Sequence, residues 1–160
     1  MSADLENTLY LELKDGRVTI TLRPDLAPNH VARIKELARQ NFYDGLKFHR
    51  VIEGFMAQTG DPRGDGTGGS GENLKAEFND EPHVRGTCSM ARASSPNSAD
   101  SQFFICFADA RFLDKQYTVW GQVAEGMEHV DKIKRGSQAR NGSVTDPDKI
   151  VSMRVAADVE

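Results

Sequence analysis

The feature that most constrains the fold is a succession of short, alternating apolar segments bounded by turn residues. The first two segments, TLYLEL (8–13) and RVTITL (17–22), carry apolar side chains at every second position. This alternation is typical of strands that bury one face, and Asp15-Gly16 between the segments favours a type I′ turn. The sequence therefore predicts a β-hairpin at its start.

Similar segments recur along the chain. They are two stretches within 46–60 that are separated near Gly54, and single stretches at 87–93, 103–107, 118–123 and 149–156. Helical periodicity is found at 28–38, which begins with Pro28, and at 127–135. About eight short strands in one small domain leave exposed edges unless the sheet closes on itself. We therefore predict a mainly β, closed eight-stranded antiparallel β-barrel capped by two α-helices, as a single domain over residues 1–160.

Charge and composition exclude several classes of partner. The net charge is −4 and the pI is near 5.6, so the chain lacks the basic surface that grips nucleic acid or an anionic membrane. Neither a signal peptide nor an apolar stretch long enough to span a membrane is recognisable. Cys88 and Cys106 form no CxxC unit, and we expect two free thiols in a cytoplasmic protein.

Familiar cofactor motifs are absent or out of context. GDGTGG (64–69) matches GxGxxG, but no strand precedes it and no helix opens at its end, so we expect no dinucleotide site. The four histidines lack paired ligand spacing, and we expect no metal. No GxSxG elbow marks a nucleophilic serine, although a dispersed triad stays open.

The stretch FHRVIEGFMAQTGD (48–61) places Arg50 in a strand that is otherwise largely apolar. At period two, Phe48, Arg50 and Ile52 would share one face. A guanidinium there is costly unless something pairs with it. Its partner could be an acid, such as Glu53 or Asp61, or it could be a substrate, and the pattern alone leaves both open.

Two later segments carry the residues of a pocket. SMARASSPNSADSQFFICF (89–107) contains Gln102 beside an aromatic pair, and ARFLDKQYTVWGQV (110–123) adds Phe112, Leu113 and Tyr117. If these segments converge on Arg50, they would form an apolar pocket with one cation and amide groups on its rim.

These three segments resemble the signature blocks of the cyclophilins, the cyclosporin-binding peptidyl-prolyl cis–trans isomerases. FHRVIEGFMAQTGD resembles the family's FHR-x-I-x-x-F-x-x-Q-x-GD signature, and the other two segments resemble its SMA…PN…SQFFI and later VFG-type blocks. The resemblance extends over nearly the whole chain and is greatest to the compact bacterial members. It implies an eight-stranded barrel with two helices, in agreement with the pattern.

The resemblance also implies site residues and a reaction. Arg50 and Gln58 are implied as catalytic residues for rotation about X-Pro peptide bonds, without a cofactor. The implied substrate-binding residues are Phe55, Met56, Ala91, Arg92, Ala93, Gln102, Phe104, Phe112, Leu113 and Tyr117. The expected partners are proline-containing peptides and unfolded or partly folded proteins, and we expect a monomer.

Three positions depart from the family pattern. Phe112 stands where many members have tryptophan, so we expect a cyclosporin-type inhibitor to bind more weakly while peptide turnover is retained. Tyr117 replaces a common histidine, and Arg92 replaces a common asparagine that contributes through its backbone. Two alternatives stay open: a non-catalytic module that binds peptides in the same groove, and a small barrel that holds an apolar ligand inside.

Overall fold

The structure, a computed structural model, describes residues 4–160 and confirms the first hairpin. Strands β1 (Thr8–Leu13) and β2 (Gly16–Leu22) pair antiparallel, with Leu13 opposite Gly16. The turn is not of type I′, because this register makes Lys14 and Asp15 its central residues and neither has a positive φ. Gly16 lies one position after the two central turn residues and is the first residue of β2.

The remaining elements follow the predicted order. Helix α1 spans Pro28–Arg39, and strands β3 (Arg50–Ile52), β4 (Met56–Thr59), β5 (Thr87–Met90), β6 (Phe103–Cys106) and β7 (Val119–Glu125) come next; helix α2 (Met127–Val130) and strand β8 (Ser152–Val155) complete the fold. Four 3₁₀ turns occur at Leu5–Asn7, Arg111–Leu113, Gln138–Arg140 and Ala156–Asp158. No helix within residues 4–160 is long and apolar enough to cross a membrane.

The second helix is shorter than the sequence predicts. It ends at Val130, whereas the helical periodicity continues to residue 135. The guanidinium of Arg135 donates to the carbonyls of Asp131 and Ile133, at 2.6 and 2.7 Å. A continuing helix would use those carbonyls for backbone hydrogen bonds, whereas here residues 131–133 form a turn and a bend, and 134–135 belong to no regular element.

The eight strands form one antiparallel sheet in the order β3-β4-β6-β5-β7-β2-β1-β8. The prediction of a closed barrel is wrong, because the two end strands, β3 and β8, do not pair with each other in the part of the chain described. Instead, the segments that precede them meet through single backbone bonds, such as Phe48 N–H to the Asp148 carbonyl at 2.8 Å. β3 has only three residues, and the curled sheet has no continuous ladder between β3 and β8 within residues 4–160.

Two apolar clusters lie on opposite sides of β6. Phe103 and Ile105 belong to the main core, which also contains the fully buried Trp120, while Phe104 and Cys106 belong to a smaller cluster with Met56, Ala110 and Leu113. Helix α1 covers the main core with its predicted apolar face, Val31, Ile34, Leu37 and Ala38. Large side chains thus fill the interior, and the smaller cluster underlies the cleft described next.

Candidate active site

A cleft of about 700 Å³ opens over the smaller apolar cluster. Ten of the twelve predicted site residues line it: Arg50, Phe55, Met56, Gln58, Ala91, Arg92, Phe104, Phe112, Leu113 and Tyr117. The other two, Ala93 and Gln102, line an adjoining pocket of about 450 Å³. Because Gln58, Gly66, Ala91 and Arg92 line both hollows, the two are neighbouring parts of one groove.

The floor of the cleft is apolar and well packed. Met56, Phe104 and Leu113 are at least nine-tenths buried. Above them, the Phe55 and Phe112 rings lie 5.5 Å apart between centroids, and Phe112 is 67% exposed. This arrangement offers an apolar surface of the size of a small ring, with the exposed Phe112 side chain at its edge.

Strand pairing places Arg50 at the edge of this floor. It is the first residue of β3 and lies directly opposite Gln58 of β4. The period-two reading that grouped Phe48 with Arg50 is wrong, because Phe48 precedes the strand and is fully buried in the main core. Arg50 therefore does not share a face with a core residue, and its side chain turns toward the groove.

The guanidinium of Arg50 is held by neutral oxygens. Its Nη1–H donates to Gln58 Oε1 at 3.1 Å, its Nε–H to the Asn141 carbonyl at 3.0 Å and its Nη2–H to Asn141 Oδ1 at 3.1 Å. Neither acid considered from the sequence is its partner: Glu53 bonds to Arg135, and Asp61 accepts backbone N–H groups. Burial lowers the pKa of Arg50, but an arginine stays charged at neutral pH. A fixed cation with no carboxylate partner among residues 4–160 therefore lines the cleft.

The two glutamines continue this network. Gln58 Nε2–H donates to Gln102 Oε1 at 2.9 Å, and Gln102 Nε2–H donates to the carbonyls of Gly66 and Gly68, at 3.0 and 2.9 Å. Each amide has one orientation that satisfies both neighbours. The chain of bonds therefore connects the Arg50 guanidinium to the glycine-rich loop.

Two carboxylates hold the glycine-rich loop (60–73) in place. Asp61, which is 1% exposed, accepts the backbone N–H groups of Arg63, Asp65 and Gly66. Burial acts to raise the pKa of Asp61, but these N–H bonds outweigh it and lower that pKa. Farther along, Asp100 accepts the N–H groups of Ser70 and Gly71, each at 2.9 Å. The loop is thus an ordered wall of the groove.

Arg92 and Tyr117, two of the departures from the family pattern, contact each other. The Arg92 guanidinium carbon lies 4.6 Å above the centre of the Tyr117 ring. The N–H groups of the Arg92 guanidinium also donate to the carbonyls of Ala93, Ser94 and Gln116. The cation is therefore fixed in one orientation where the cleft and the adjoining pocket meet.

A serine, a histidine and an aspartate come together behind the cleft floor. His83 Nε2 lies 2.9 Å from Ser89 Oγ, and His83 Nδ1 lies 3.1 Å from Asp114 Oδ1. The spacing matches that of a nucleophilic triad. However, His83 and Ser89 are fully buried and Ser89 Oγ also lies 3.0 Å from the Thr118 carbonyl, so no substrate reaches the serine. The group braces the pocket instead, since the His83 ring stacks on Phe104 at 6.2 Å.

Sequence reasoning missed several lining residues. They are His49, Gly64, Asp65, Gly66, Arg140, Asn141, Ser143 and Val144. His49 is 8% exposed, neither of its ring nitrogens has a hydrogen-bond partner among the described residues, and burial lowers its pKa. Asn141 stands 91 residues from Arg50, and an Asn-Gly pair is typical of turns, so no local signal predicts its contact with Arg50.

Comparison with known proteins agrees with the geometry. Residues 8–155 match the family model described as "Cyclophilin type peptidyl-prolyl cis-trans isomerase/CLD". A probable peptidyl-prolyl cis-trans isomerase of Brucella suis is 57% identical over 99% of this chain and 87% of its own length. Peptidyl-prolyl cis-trans isomerase B of Bacillus subtilis is 42% identical over 81% of this chain and 92% of its own.

Solved structures lead to the same family. A crystal structure of a cyclophilin from Hirschia baltica superposes with a TM-score of 0.88 at 31% identity, covering 100% of this chain and 77% of that one. A cyclophilin-type isomerase of Cryptosporidium parvum, crystallised in the presence of the dipeptide Ala-Pro, gives a TM-score of 0.85 at 27% identity. It covers 92% of this chain and 98% of its own.

Proposed function

The chain belongs to the cyclophilin-type peptidyl-prolyl cis–trans isomerases, and on this basis we propose that Arg50 is its principal catalytic residue. The observation that carries the proposal is the Arg50 guanidinium, which lines an apolar cleft and is held by Gln58 and Asn141, with no carboxylate partner in the described part of the chain. A cation in this setting can act on a substrate that lies on the floor of the cleft.

The reaction requires no nucleophile and no net proton transfer. Rotation about an X-Pro bond is slow because the nitrogen lone pair is delocalised into the carbonyl, which gives a barrier of roughly 18–20 kcal/mol. In the twisted state the lone pair returns to the prolyl nitrogen. A preorganised guanidinium donates to that nitrogen more strongly as charge localises on it, which lowers the barrier.

The apolar floor supplies binding energy for the proline ring. We assign this role to Phe55, Met56, Phe104 and Leu113, which line the cleft beside Arg50. Burial of a side chain of this size contributes roughly 1.5–3 kcal/mol. Phe112 and Tyr117 would form the outer walls of the same subsite.

The backbone beside β5 offers a place for the substrate chain. Among residues 4–160, the Ala91 N–H bonds to the Gln102 carbonyl and the Ala93 N–H to Ser98 Oγ, while the N–H and carbonyl of Arg92 make no backbone bond. We propose that a peptide pairs with Arg92 as an added strand. Gln58 would orient Arg50 and bond to the peptide, and Gln102 would hold Gln58.

The test is turnover of a proline-containing peptide measured by NMR exchange, which needs no coupling protease. Arg50→Ala should lower kcat/KM by about 10²–10³-fold, the usual cost of removing one preorganised donor. Its thermal stability should change little. Arg50→Lys should recover only part of the activity, because an ammonium lacks the planar fork that contacts Gln58 and Asn141 together.

A matched control is Arg154→Ala. Arg154 forms a bidentate ion pair with Asp44, at 2.8 Å for each bond, and it does not line the cleft. This variant should lose stability and keep turnover, the reverse of Arg50→Ala. The catalytic assignment would be wrong if Arg50→Ala lost as much stability as Arg154→Ala. It would also be wrong if the Arg50→Ala variant turned over peptide at the wild-type rate.

The competing function is a module that binds peptides without isomerising them. Such a module would use the apolar floor and the free Arg92 backbone, but it would have no need of the unneutralised Arg50. Exchange rates separate the two functions, since a binder would saturate with peptide and leave its cis–trans rate unchanged.

We further propose that the substrates are X-Pro segments of folding or unstructured proteins. Support comes from the Cryptosporidium relative, which was crystallised in the presence of Ala-Pro. A refolding protein limited by proline isomerisation should therefore lose its slow phase when the wild-type chain is added, but not when Arg50→Ala is added. The cytoplasmic location and the monomeric state stay predictions of the sequence.

A further inference from the structure

The arginines of the chain divide into two groups. Of twelve arginines, eight form ion pairs with carboxylates: Arg17, Arg23, Arg33, Arg39, Arg85, Arg111, Arg135 and Arg154. The other four, Arg50, Arg63, Arg92 and Arg140, form no ion pair within residues 4–160. All four line the cleft or its adjoining pocket.

Few negative charges oppose these four cations in the groove. Asp100 lines the adjoining pocket, but it is already paired with Arg33 at 3.3 Å. Asp65 is the one other carboxylate in the two linings, and it bonds to the Thr67 N–H and hydroxyl. Four arginines against two carboxylates give the groove a net positive charge on a chain whose total charge is −4, without a contribution from His49, whose pKa burial lowers.

Arg92 is the best placed of these cations. Its bonds to three backbone carbonyls and its position over the Tyr117 ring fix it where the cleft meets the adjoining pocket. Neutral carbonyls hold the side chain without cancelling its charge. Arg63 and Arg140 form no side-chain hydrogen bond among the described residues and can move toward a substrate from the two ends of the groove.

A concave surface of one charge sign with apolar walls concentrates oppositely charged ligands. We propose that this isomerase prefers X-Pro segments that carry an aspartate or glutamate within two residues of the proline, with Arg92 as the specificity-determining residue. Arg63 and Arg140 extend the same field to the flanking positions. The proposal rests on the isomerase function above and names a substrate class for that site.

The first experiment compares peptides that differ only in charge. Two pairs are used, Ala-Glu-Pro-Phe against Ala-Gln-Pro-Phe and Ala-Pro-Glu-Phe against Ala-Pro-Gln-Phe, with blocked termini and NMR exchange as the readout. At low salt, kcat/KM for the glutamate peptide of at least one pair should exceed that of its glutamine partner by about fivefold. At 1 M salt the advantage should nearly vanish, since screening shortens the range of the field.

The second experiment removes the cations one group at a time. Arg92→Gln should abolish most of the Glu/Gln ratio of kcat/KM, and the double variant Arg63→Gln/Arg140→Gln should lower that ratio by a smaller factor. The double variant is safe for folding, because neither side chain bonds to the protein among the described residues. Arg17→Gln is the matched control for Arg92→Gln, because it also removes one positive charge. Arg17 lies on the hairpin, paired with Glu12, so this variant should leave the Glu/Gln ratio unchanged.

The outcomes separate this proposal from the isomerase function. Equal kcat/KM for the glutamate and glutamine peptides at low salt would overturn it, as would a ratio that persists when Arg92, Arg63 and Arg140 are neutralised. Neither result touches the isomerase function, which would fall only if the neutral glutamine peptides were not accelerated at all.

Discussion

Two neighbouring phenylalanines on β6 belong to different regions of the molecule, one to the main hydrophobic core and one to the candidate active site. Phe103 is fully buried and meets the rings of Tyr43 and Trp120 edge-on, at 5.5 and 5.4 Å. Phe104 packs against His83 and Tyr117 and borders the cleft. The two differ by one position in a strand, so alternation alone assigns one ring to the core and the other to the site.

The comparison predicts its largest effect at Phe103. Phe103→Ala should lower the free energy of unfolding by roughly 3–5 kcal/mol, because the cavity is enclosed on all sides by core side chains. Urea denaturation gives the measurement. A loss no greater than that of Phe104→Ala would mean that the two rings are not energetically distinct.

At Phe104 the effect should move from stability to turnover. Phe104→Ala removes a wall of the proposed proline subsite, worth roughly 1.5–3 kcal/mol of ring burial, so kcat/KM should fall about tenfold or more. The stability loss should be smaller than at Phe103, since the space opens into a solvent-filled cleft. NMR exchange and denaturation on the same samples test both halves, and full turnover would remove Phe104 from the site.

The histidine behind Phe104 should make stability depend on pH. Burial lowers the pKa of His83, although its bond to Asp114 opposes this, so the folded protein keeps it neutral where the unfolded chain would protonate it. The stability is therefore complete above the unfolded pKa near 6.5 and falls as pH drops toward the folded pKa. One such histidine changes the free energy of unfolding by at most about 1.4 kcal/mol per pH unit.

His83→Gln should flatten this dependence between pH 7 and pH 5. It should not remove it, because burial also lowers the pKa values of His30 and His49. Thermal or urea melts at several pH values supply the slope. A variant whose slope matched the wild type would show that His83 is protonated in the folded state.

The smallest effect is expected at the exposed rim. Phe112 stands where many cyclophilins have tryptophan, and it lacks an indole N–H that could donate to an inhibitor. Phe112→Trp should therefore tighten cyclosporin binding by roughly 3–10-fold, the value of one added hydrogen bond, with peptide turnover retained. Calorimetric titration measures the affinity for cyclosporin. An unchanged affinity would show that the missing indole N–H at position 112 is not the cause of weak binding.

Local patterns predicted most of the elements. The hairpin, helix α1 with Pro28 at its start, and all eight strands follow from alternation and periodicity, which depend on neighbours in sequence. The failures have tertiary causes. The turn after Leu13 depends on the pairing register, the end of α2 depends on Arg135, and closure of the sheet depends on how two distant end strands meet.

The candidate site was predicted from the resemblance of three segments to family signature blocks, and the lining residues outside those segments were missed. Residues of the three signature segments came together as expected, because each segment carries its own motif. Asn141 and His49 did not stand out, since a turn residue and a lone histidine are common and their contacts form only in the folded chain. The missing information was spatial adjacency across β3, the glycine-rich loop and the segment at 140–144.

The grip of Asn141 on Arg50 also bears on when the enzyme becomes active. Arg50 is translated 91 residues before Asn141, and the second neighbour of β1, besides β2, is β8, the last of the eight strands. A nascent chain that ends before Asn141 would hold the Arg50 guanidinium loosely and would leave β1 without β8 beside it. Isomerase activity should therefore appear late in synthesis, so a nascent chain cannot act on its own six prolines and only finished copies can.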